Sequence, residues 1–255
     1  MFKEERLLKI INKINSDKGV NKGITIKELS EAFNVSPSTI RRDLTELEKA
    51  GVVKRTHGGA ILVEQIGNEY DFSSKQGKYV NEKKSIAKYA ASLVEDGEII
   101  ALNSSTLTYL MAAELDAKNL SIITNSVGVV NQLSDKTDYS IIVLGGIYLH
   151  SAKTIEGTTT VEQISKMHFD KVFLGANGVD LKLGLSTAGS IEASSKQAMV
   201  EYGNEIYFLC ESTKFDKASF YKIADFNQVN AIITDDKLTD EQFEVYNKYT
   251  KIVRV

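Results

Sequence analysis

Seven short apolar runs alternate with helical segments over the last two thirds of this 255-residue chain. A strand that is buried on both faces gives such a run, and parallel strands need long, usually helical connections. The alternation therefore predicts an α/β domain in which helices cover both faces of a doubly wound parallel sheet. The runs are residues 99–102, 122–124, 141–144, 172–174, 206–209, 232–234 and 252–255.

Polar or glycine-containing loops follow several of these runs. Because the carboxyl ends of parallel strands lie at one edge of a sheet, these loops are expected to converge there. Exposed backbone N–H groups at a helix N-terminus attract anions, so the loops predict an anion-binding site. Taken singly, each loop is most simply a turn or a helix cap. The candidate residues are Asn103, Ser104, Ser105, Thr106, Asn125, Gly145, Gly146 and Lys214.

A helix with one apolar face and one basic face is predicted to begin at Ser36. This residue is a preferred N-cap, and Pro37 suits the first helical position because proline has no N–H to satisfy. At about 100° per residue, Ile40, Leu44 and Leu47 share one face. The opposite face carries hydroxyls and positive charge, which can donate to phosphates and base edges. Alone, the pattern also fits an ordinary amphipathic helix with a solvated face.

The surrounding residues favour a DNA-reading motif over an ordinary helix. A second helical stretch precedes Ser36, and a basic strand with Lys54 and Arg55 leads into a turn at His57. The two adjacent glycines after His57 are expected to permit positive φ in that turn. A helix-turn-helix over about residues 25–44 with a following hairpin is a winged DNA-binding domain. The expected DNA contacts are Ser36, Ser38, Thr39, Arg41, Arg42, Thr45, Lys49, Lys54, Arg55 and His57.

The net charge of −3 conceals an uneven distribution along the chain. Residues 1–60 hold twelve lysines and arginines against eight acidic residues, which gives a net charge of +4. The remainder holds nineteen basic against twenty-six acidic residues, which gives −7. A surface for nucleic acid is therefore expected in the first part. Because +4 is a modest charge, we expect copies of the chain to bind DNA together, as a homodimer or homotetramer.

Other kinds of site have little support in the sequence. The histidines, His57, His150 and His168, are too scattered for a metal-ligand set, and Cys210 is the single cysteine. Neither a Gly-x-Gly-x-x-Gly nor a Walker-type loop follows a predicted strand, so we expect no cofactor and no metal. No apolar run approaches the length of a membrane span, and one cysteine suits a reducing compartment. We therefore expect a cytoplasmic protein with no membrane partner.

The N-terminal block resembles the DNA-binding domain of the DeoR family of bacterial transcription regulators. The resemblance rests on Val-Ser-x-x-Thr-Ile-Arg-Arg-Asp-Leu over residues 35–44 and on His-Gly-Gly-Ala over residues 57–60. Blocks from residue 102 to residue 235 are similar to the sensor domain of that family, which has the Rossmann-like fold of ribose-5-phosphate isomerase and glucosamine-phosphate deaminase. The resemblance implies a DNA-binding domain over residues 1–63 and a sensing and oligomerisation domain over 81–255. The polar stretch between them predicts a linker over 64–80.

Members of this family typically sense phosphorylated sugars, so the resemblance implies an effector of that class. The positions carried over for the phosphate and its surroundings are Ser104, Ser105, Thr106, Asn125, Gly146 and Lys214. Those carried over for the sugar side are Glu192 and Lys196. The usual Asp-x-Gly-[Ser/Thr]-Thr of the family is Asn-Ser-Ser-Thr-Leu here, over residues 103–107. Without the aspartate a charge that accepts sugar hydroxyls is lost, so either the ligand differs from the family norm or it binds weakly.

The sequence thus predicts a repressor of a sugar-metabolism operon that a phosphorylated sugar releases from operator DNA. Two other classes stay open. An isomerase-like or deaminase-like enzyme needs a carboxylate base and a polarising partner, for which Glu192 and Asp180 are candidates without a paired acid-base arrangement. A DNA-binding protein with a purely structural C-terminal domain would gain no stability from sugar phosphates.

Overall fold

The structure, a computed structural model, describes residues 6–7, 9–10, 13–14, 24–49, 53–56, 58–62, 79–150 and 152–255, without the side chains of residues 49, 54, 61 and 62. The chain divides into two units, residues 1–65 and residues 66–255. Residues 63–78 lie outside the described ranges. The expected division into residues 1–63, 64–80 and 81–255 therefore stays a prediction.

The N-terminal unit contains a helix-turn-helix followed by a hairpin. The described residues between 6 and 14 are helical. The later elements are β1 (Ile24–Thr25), α1 (Ile26–Phe33), α2 (Pro37–Lys49), β2 (Val53–Arg55) and β3 (Gly59–Leu62). The three strands form an antiparallel sheet in the order β1-β3-β2. The predicted helix-turn-helix is confirmed.

Caps define the start of α1 and the turn between α1 and α2. Thr25 Oγ1 accepts a hydrogen bond from Glu28 N at 3.2 Å, and Glu28 Oε2 accepts one from Thr25 N at 2.7 Å. Asn34 ends α1 in the left-handed region, with φ at 50°. Ser36 Oγ accepts a hydrogen bond from Thr39 N at 3.2 Å, at the start of α2. These contacts satisfy backbone groups that helix ends leave unpaired.

The apolar face of α2 packs as the sequence predicts. Ile40 and Leu44 have no exposed surface, and Leu47 is buried beside them. These residues share one apolar cluster with Leu29 of α1 and with Ile10. Burial of this face fixes the rotation of α2 about its axis, so the basic face is turned outward.

The larger unit is built on a seven-stranded parallel sheet. Its helices are α3 (Val80–Ala91), α4 (Thr106–Glu114), α5 (Val127–Leu133), α6 (Thr158–Ile164), α7 (Ser190–Glu201) and α8 (Asp240–Tyr246). The strands of the main sheet are β4 (Ile99–Leu102), β5 (Ser121–Thr124), β6 (Ser140–Val143), β9 (Phe169–Gly175), β12 (Gly203–Leu209), β14 (Ala231–Thr234) and β15 (Lys251–Arg254). The remaining strands are β7 (Ile147–Leu149), β8 (Thr154–Glu156), β10 (Gly178–Asp180), β11 (Gly184–Thr187) and β13 (Tyr221–Ala224).

The strand order of the main sheet is β15-β14-β12-β9-β4-β5-β6, and every pair is parallel. All seven predicted runs form strands of this sheet, so the doubly wound α/β prediction is confirmed. The next two strands in the chain lie on one side of β4, and the last four lie on the other. The order therefore reverses between β4 and β9, which is where doubly wound sheets open a crevice for ligands.

The central strands of the main sheet are buried on both faces, whereas the edge strand β6 exposes Ile142 and Val143. On β9, Val172 and Leu174 belong to one apolar cluster, whereas Phe173 between them belongs to another. Consecutive residues of a strand point to opposite faces, so the two clusters lie on opposite sides of the sheet.

Two smaller sheets were not predicted from the sequence. Strands β10, β11 and β13 form an antiparallel sheet, and β7 pairs with β8. Ile155 N in β8 donates a hydrogen bond to the carbonyl oxygen of Asn125 at 2.8 Å, which holds β8 against the loop after β5. The small sheets therefore add residues to the carboxyl edge of the main sheet.

Candidate nucleic-acid interface and sensor site

The exposed face of α2 carries most of the predicted DNA contacts. Arg41, Arg42 and Ser38 are exposed on it, and Thr39 is half-buried. The hydroxyl of Ser36 lies 2.8 Å from that of Ser38 and 2.9 Å from that of Thr39. The N-terminal half of α2 thus presents two guanidinium groups and a cluster of hydroxyls, which are the donors that phosphates and base edges accept.

Asp43 holds α2 in place from its buried side. The side chain is 1% exposed. Arg6 Nε donates to Asp43 Oδ2 at 2.6 Å, and Arg6 Nη2 donates to Asp43 Oδ1 at 3.1 Å. A bidentate contact of this kind fixes both the distance and the relative orientation of the two side chains. The acidic residue of the Ile-Arg-Arg-Asp-Leu segment is therefore structural, whereas the arginines before it face outward.

The hairpin that follows α2 is tied to that helix through Arg55. Arg55 N donates to Glu48 Oε1 at 3.0 Å, and Arg55 Nη1 donates to Thr45 Oγ1 at 3.1 Å. Thr45 in turn donates to the carbonyl oxygen of Arg41 at 2.8 Å. The predicted contacts Thr45 and Arg55 are thus in contact with each other at the junction of helix and hairpin.

Gly59 serves close packing instead of an unusual backbone conformation. Its φ is not positive. A Cβ atom on Gly59 would lie 1.9 Å from the carbonyl oxygen of Ile24, whereas one on Gly58 would meet nothing within 4 Å. Only glycine at position 59 therefore lets β3 pair with β1. His57 and the side chains of Lys49 and Lys54 lie outside the described residues, and their DNA contacts stay predictions.

In the larger unit, the loop after β4 lies at the reversal of strand order. Ser105 caps α4, because its Oγ accepts a hydrogen bond from Thr108 N at 3.0 Å. Asn103 is 2% exposed, and its Oδ1 accepts a hydrogen bond from Gly175 N at 3.1 Å. A Cβ atom on Gly175 would lie 2.7 Å from Ser105 Cβ. The glycine that ends β9 therefore makes room for the start of α4.

A chain of hydrogen bonds joins this loop to α7 through a buried glutamate. Ser104 N donates to Asn125 Oδ1 at 3.1 Å, and Asn125 Nδ2 donates to Glu156 Oε1 at 2.9 Å. Thr154 Oγ1 also donates to Oε1 at 3.1 Å, and Ser195 Oγ lies 2.5 Å from Glu156 Oε2. Burial raises the pKa of Glu156 to about 7, although its hydrogen bonds with Ser195 and Thr154 oppose that change. Sequence reasoning missed Glu156, which no motif marks.

Glu192 and Lys196 meet Thr187 and Asn177 beside this network. Lys196 Nζ donates to Thr187 Oγ1 at 3.1 Å and lies 3.8 Å from Glu192 Oε2. Thr187 Oγ1 lies 2.7 Å from Asn177 Oδ1. The charges of Glu192 and Lys196 both act on Glu156, the first raising and the second lowering its pKa. The two predicted sugar-side residues are thus next to each other, in a polar cluster with two residues that the sequence did not single out.

Of the remaining predicted effector residues, Gly145 and Gly146 have contacts within the fold, and Lys214 lies in the loop after another strand. Gly145 N donates to Gln163 Oε1 at 2.8 Å, so this N–H is already used within the fold. A Cβ atom on Gly146 would lie 2.5 Å from Thr160 Oγ1, which explains glycine there. Lys214 ends the 3₁₀ turn Ser212–Lys214 after β12, a strand that lies two positions from β4 in the main sheet.

Neither a metal centre nor a membrane span is found in the part of the chain that the structure describes. There, no three His, Cys, Asp or Glu side chains come together in a way that could hold a metal ion. Nor does any helix within those ranges combine the length and apolarity needed to cross a membrane.

Comparison with known protein families identifies both units. Residues 6–66 match the DeoR-like helix-turn-helix domain, and residues 78–236 match the DeoR C terminal sensor domain. The chain belongs to the DeoR family.

Several full-length relatives of this DeoR-family chain are known. It is 36% identical over 256 residues to the lactose phosphotransferase system repressor of Streptococcus mutans, covering 99% of this chain and 100% of the relative. It is 31% identical over 243 residues to the HTH-type transcriptional repressor GlcR of Bacillus subtilis, covering 95% and 92%. It is 35% identical over 238 residues to the uncharacterized regulator YulB of Bacillus subtilis, covering 93% and 91%.

These relatives are named as transcriptional regulators, so the predicted DNA-binding regulator is confirmed over the isomerase-like enzyme. Among solved structures, ribose 5-phosphate isomerase A of Methanocaldococcus jannaschii gives a TM-score of 0.37 at 20% identity, over 52% of this chain and 53% of that chain. That similarity is too slight to argue from. Asp180, a candidate base of the enzyme alternative, instead accepts hydrogen bonds from Lys182 N at 2.9 Å and Leu183 N at 2.8 Å, in the turn between β10 and β11.

Proposed function

We propose that this DeoR-family chain represses a sugar-metabolism operon, and that a phosphorylated sugar bound to its larger unit releases the operator. The relatives named as repressors support this, because they align with more than nine tenths of the chain. The observation that carries the sensing half is the N-terminus of α4, which lies where the strand order of the sheet reverses.

On the DNA side, α2 enters the major groove with its N-terminal half. Ser38, Thr39, Arg41 and Arg42 contact base edges and phosphates, because they lie on or beside the face opposite the buried stripe. The hairpin follows the phosphate backbone, with Lys49, Lys54, Arg55 and His57 as its contacts. Ser36 and Thr45 act next to these residues, Ser36 as the helix cap and Thr45 as the partner of Arg55.

On the effector side, the phosphate is held at the start of α4. Thr108 N and Ser105 Oγ bond to each other, so the cap is complete without a ligand. The N–H groups of Thr106 and Leu107 precede the first intrahelical bond and have no acceptor within the helix. With the helix dipole they favour a dianion. Lys214 supplies a positive charge from the loop after β12, while Asn125 orients the loop through Ser104.

Release requires that the effector prefers the form of the protein that does not bind DNA. A ligand that binds both forms equally shifts no equilibrium, however tightly it binds. Two copies of the chain read two half-sites of the operator, because the modest positive charge of one N-terminal part favours binding in pairs.

The DNA-reading face is tested with Arg42→Ala. A preferred operator is first selected from a random DNA pool with the wild-type chain. Fluorescence anisotropy then gives the affinity of the variant, which we expect to be weaker by roughly 1–3 kcal/mol. Lys248→Ala, a surface change in the larger unit, is the control and keeps wild-type affinity. If Arg42→Ala binds the operator as tightly as the control, α2 does not read DNA with this face.

The sensing half is tested with Lys214→Ala on the same operator. A panel of pentose and hexose phosphates is screened by thermal shift, and every hit is titrated into the protein-operator complex. We expect at least one hit to release the wild-type chain, whereas Lys214→Ala binds the operator normally and is not released. Release of the variant at wild-type concentrations would put the anion elsewhere. Absence of any shift across the panel would favour a purely structural role for the larger unit.

A further inference from the structure

The amide of Asn177 has an unsatisfied nitrogen deep in the larger unit. Asn177 is 3% exposed, and its Nδ2 has no hydrogen-bond partner among the described residues. The other end of the amide is paired, because Asn177 Oδ1 accepts a hydrogen bond from Thr187 Oγ1 at 2.7 Å. A buried donor without an acceptor destabilises the fold, because it has given up its hydrogen bonds to water. A position that keeps such a group is a candidate for a ligand contact.

The surroundings of Asn177 contain further unused bonding capacity. Thr187 Oγ1 has one proton and lies 2.7 Å from Asn177 Oδ1 and 3.2 Å from Glu192 Oε2. The shorter contact takes the proton, which leaves Glu192 Oε2 without a donor from Thr187. Lys196 Nζ gives one proton to Thr187, and its 3.8 Å separation from Glu192 is too long for a hydrogen bond. The cluster therefore offers donors from Asn177 and Lys196 beside an acceptor from Glu192.

This cluster is close to the start of α4. Gly175, whose missing Cβ makes room for Ser105, is two residues before Asn177. Two residues of extended chain span at most about 7 Å. A small molecule can therefore touch both the N-terminus of α4 and Asn177.

We infer that Asn177, Lys196 and Glu192 form a subsite for adjacent hydroxyl groups on the carbon chain of the effector. A hydroxyl both donates and accepts, so one can accept from Asn177 or Lys196 while it donates to Glu192. A plain anion would satisfy the donors but would be repelled by the carboxylate. The inference rests on the proposed function, since it assigns the hydroxylated end of the phosphorylated sugar whose phosphate lies at α4. It also adds Asn177 as the residue that distinguishes sugars by their hydroxyls.

The test pairs a change in the protein with a change in the ligand. Ribose 5-phosphate, glucose 6-phosphate, their 2-deoxy analogues and inorganic phosphate are titrated calorimetrically into the full chain. We expect the wild-type chain to bind a hydroxylated ligand at least about tenfold more tightly than its deoxy analogue. Asn177→Leu loses that discrimination and still binds inorganic phosphate with wild-type affinity, because phosphate needs only the α4 end. If Asn177→Leu does not fold, Asn177→Ala is tested in its place.

A matched control is available at Thr234. Its Oγ1 is also buried and without a partner among the described residues, but it lies at the end of β14, outside the cluster. Thr234→Val therefore removes an equivalent unpaired polar atom and keeps wild-type discrimination. If Asn177→Leu discriminates as well as wild type while sugar phosphates still release the operator, the subsite is wrong and the proposed function stands. If inorganic phosphate binds but no sugar phosphate is preferred over its deoxy analogue, the subsite is also wrong.

The ligand-free protein gives an independent readout. Asn177→Leu removes the unpaired nitrogen, and Thr187 can then donate to Glu192 Oε2 at 3.2 Å in place of Asn177 Oδ1, so the variant should melt at or above the wild-type temperature. A melting temperature several degrees below that of both wild type and Thr234→Val would mean that Asn177 is satisfied within the fold, which overturns the inference.

Discussion

At the scale of single residues, Glu156 makes the stability of the larger unit depend on pH. Burial raises the pKa of Glu156 from 4.5 to about 7. The folded chain therefore holds this proton between about pH 4.5 and pH 7, whereas the unfolded chain releases it. The contribution of Glu156 to the free energy of unfolding is therefore greatest below this range, and it falls by about 3 kcal/mol as the pH rises through it.

Glu156→Gln replaces the carboxyl group with an amide, which has nearly the same shape as the protonated carboxyl and stays neutral at every pH. Urea unfolding of the larger unit is compared for the wild type and this variant at pH 5 and at pH 8. We expect nearly equal free energies of unfolding at pH 5, and at pH 8 a variant more stable by up to about 3 kcal/mol. A stability difference that is the same at both pH values would contradict the raised pKa.

Residues differ in how far the sequence alone can place them. The helical period, which is a local property, places Ile40 and Arg42 on opposite faces of α2, and the structure buries the first and exposes the second. Glu156 could not be recognised, since its partners Asn125 and Ser195 are 31 and 39 residues away in the chain. Gly145 was expected in an anion-binding loop, but its N–H bonds to a side chain 18 residues further on. Local pattern predicts which face a residue takes, and tertiary contacts decide what it bonds to.

At the scale of elements, the N-terminal sheet depends on one glycine. A Cβ at position 59 would lie 1.9 Å from the carbonyl oxygen of Ile24, so Gly59→Ala forces β3 away from β1. We expect the variant to be less stable by about 2–3 kcal/mol in the N-terminal unit and to bind operator more weakly, because the hairpin shifts. Gly58→Ala, the neighbouring change, meets nothing within 4 Å and should unfold like the wild type.

Thermal unfolding of both variants checks this, with circular dichroism to follow the N-terminal unit. Equal melting temperatures for Gly59→Ala and Gly58→Ala would mean that β3 can move without cost, contrary to the pairing of Gly59 with Thr25.

Elements were predictable where burial makes a strand apolar on both faces. The central strands of the main sheet met that condition, and the edge strand β6 was recognised from its apolar run although Ile142 and Val143 are exposed. Strand β11 did not, because it is entirely buried yet includes Ser186 and Thr187. The hydroxyl of Ser186 donates to the carbonyl oxygen of Gly178 in β10. The hydroxyl of Thr187 donates to Asn177 Oδ1 in the loop before β10. The sequence pattern of such a strand resembles that of a loop, which is why the smaller sheet and the contact between Thr187 and Asn177 were missed.

At the scale of the whole molecule, the N-terminal part has a net positive charge and the rest of the chain has a net negative charge. The N-terminal sixty residues have a net charge of +4, and the remaining residues have −7. The acidic majority disfavours general attachment to nucleic acid, so we expect binding to depend on the basic face of the small unit and on the proposed pairing of two copies. Composition could predict this division because charge is simply counted along the chain. It could not predict which arginines face DNA, since that depends on the burial of Ile40 and Leu44.

The division of charge predicts a steep response of operator binding to salt. Five basic residues per copy are expected DNA contacts, so two copies can neutralise up to about ten phosphates, and the affinity should fall roughly 10³-fold or more between 50 and 200 mM salt. Anisotropy titrations over this range give the slope of log affinity against log salt concentration. Lys248→Ala, in the acidic part, should leave the slope unchanged. A slope shallower than about −4 would contradict paired binding, because one copy alone then accounts for all the phosphate contacts.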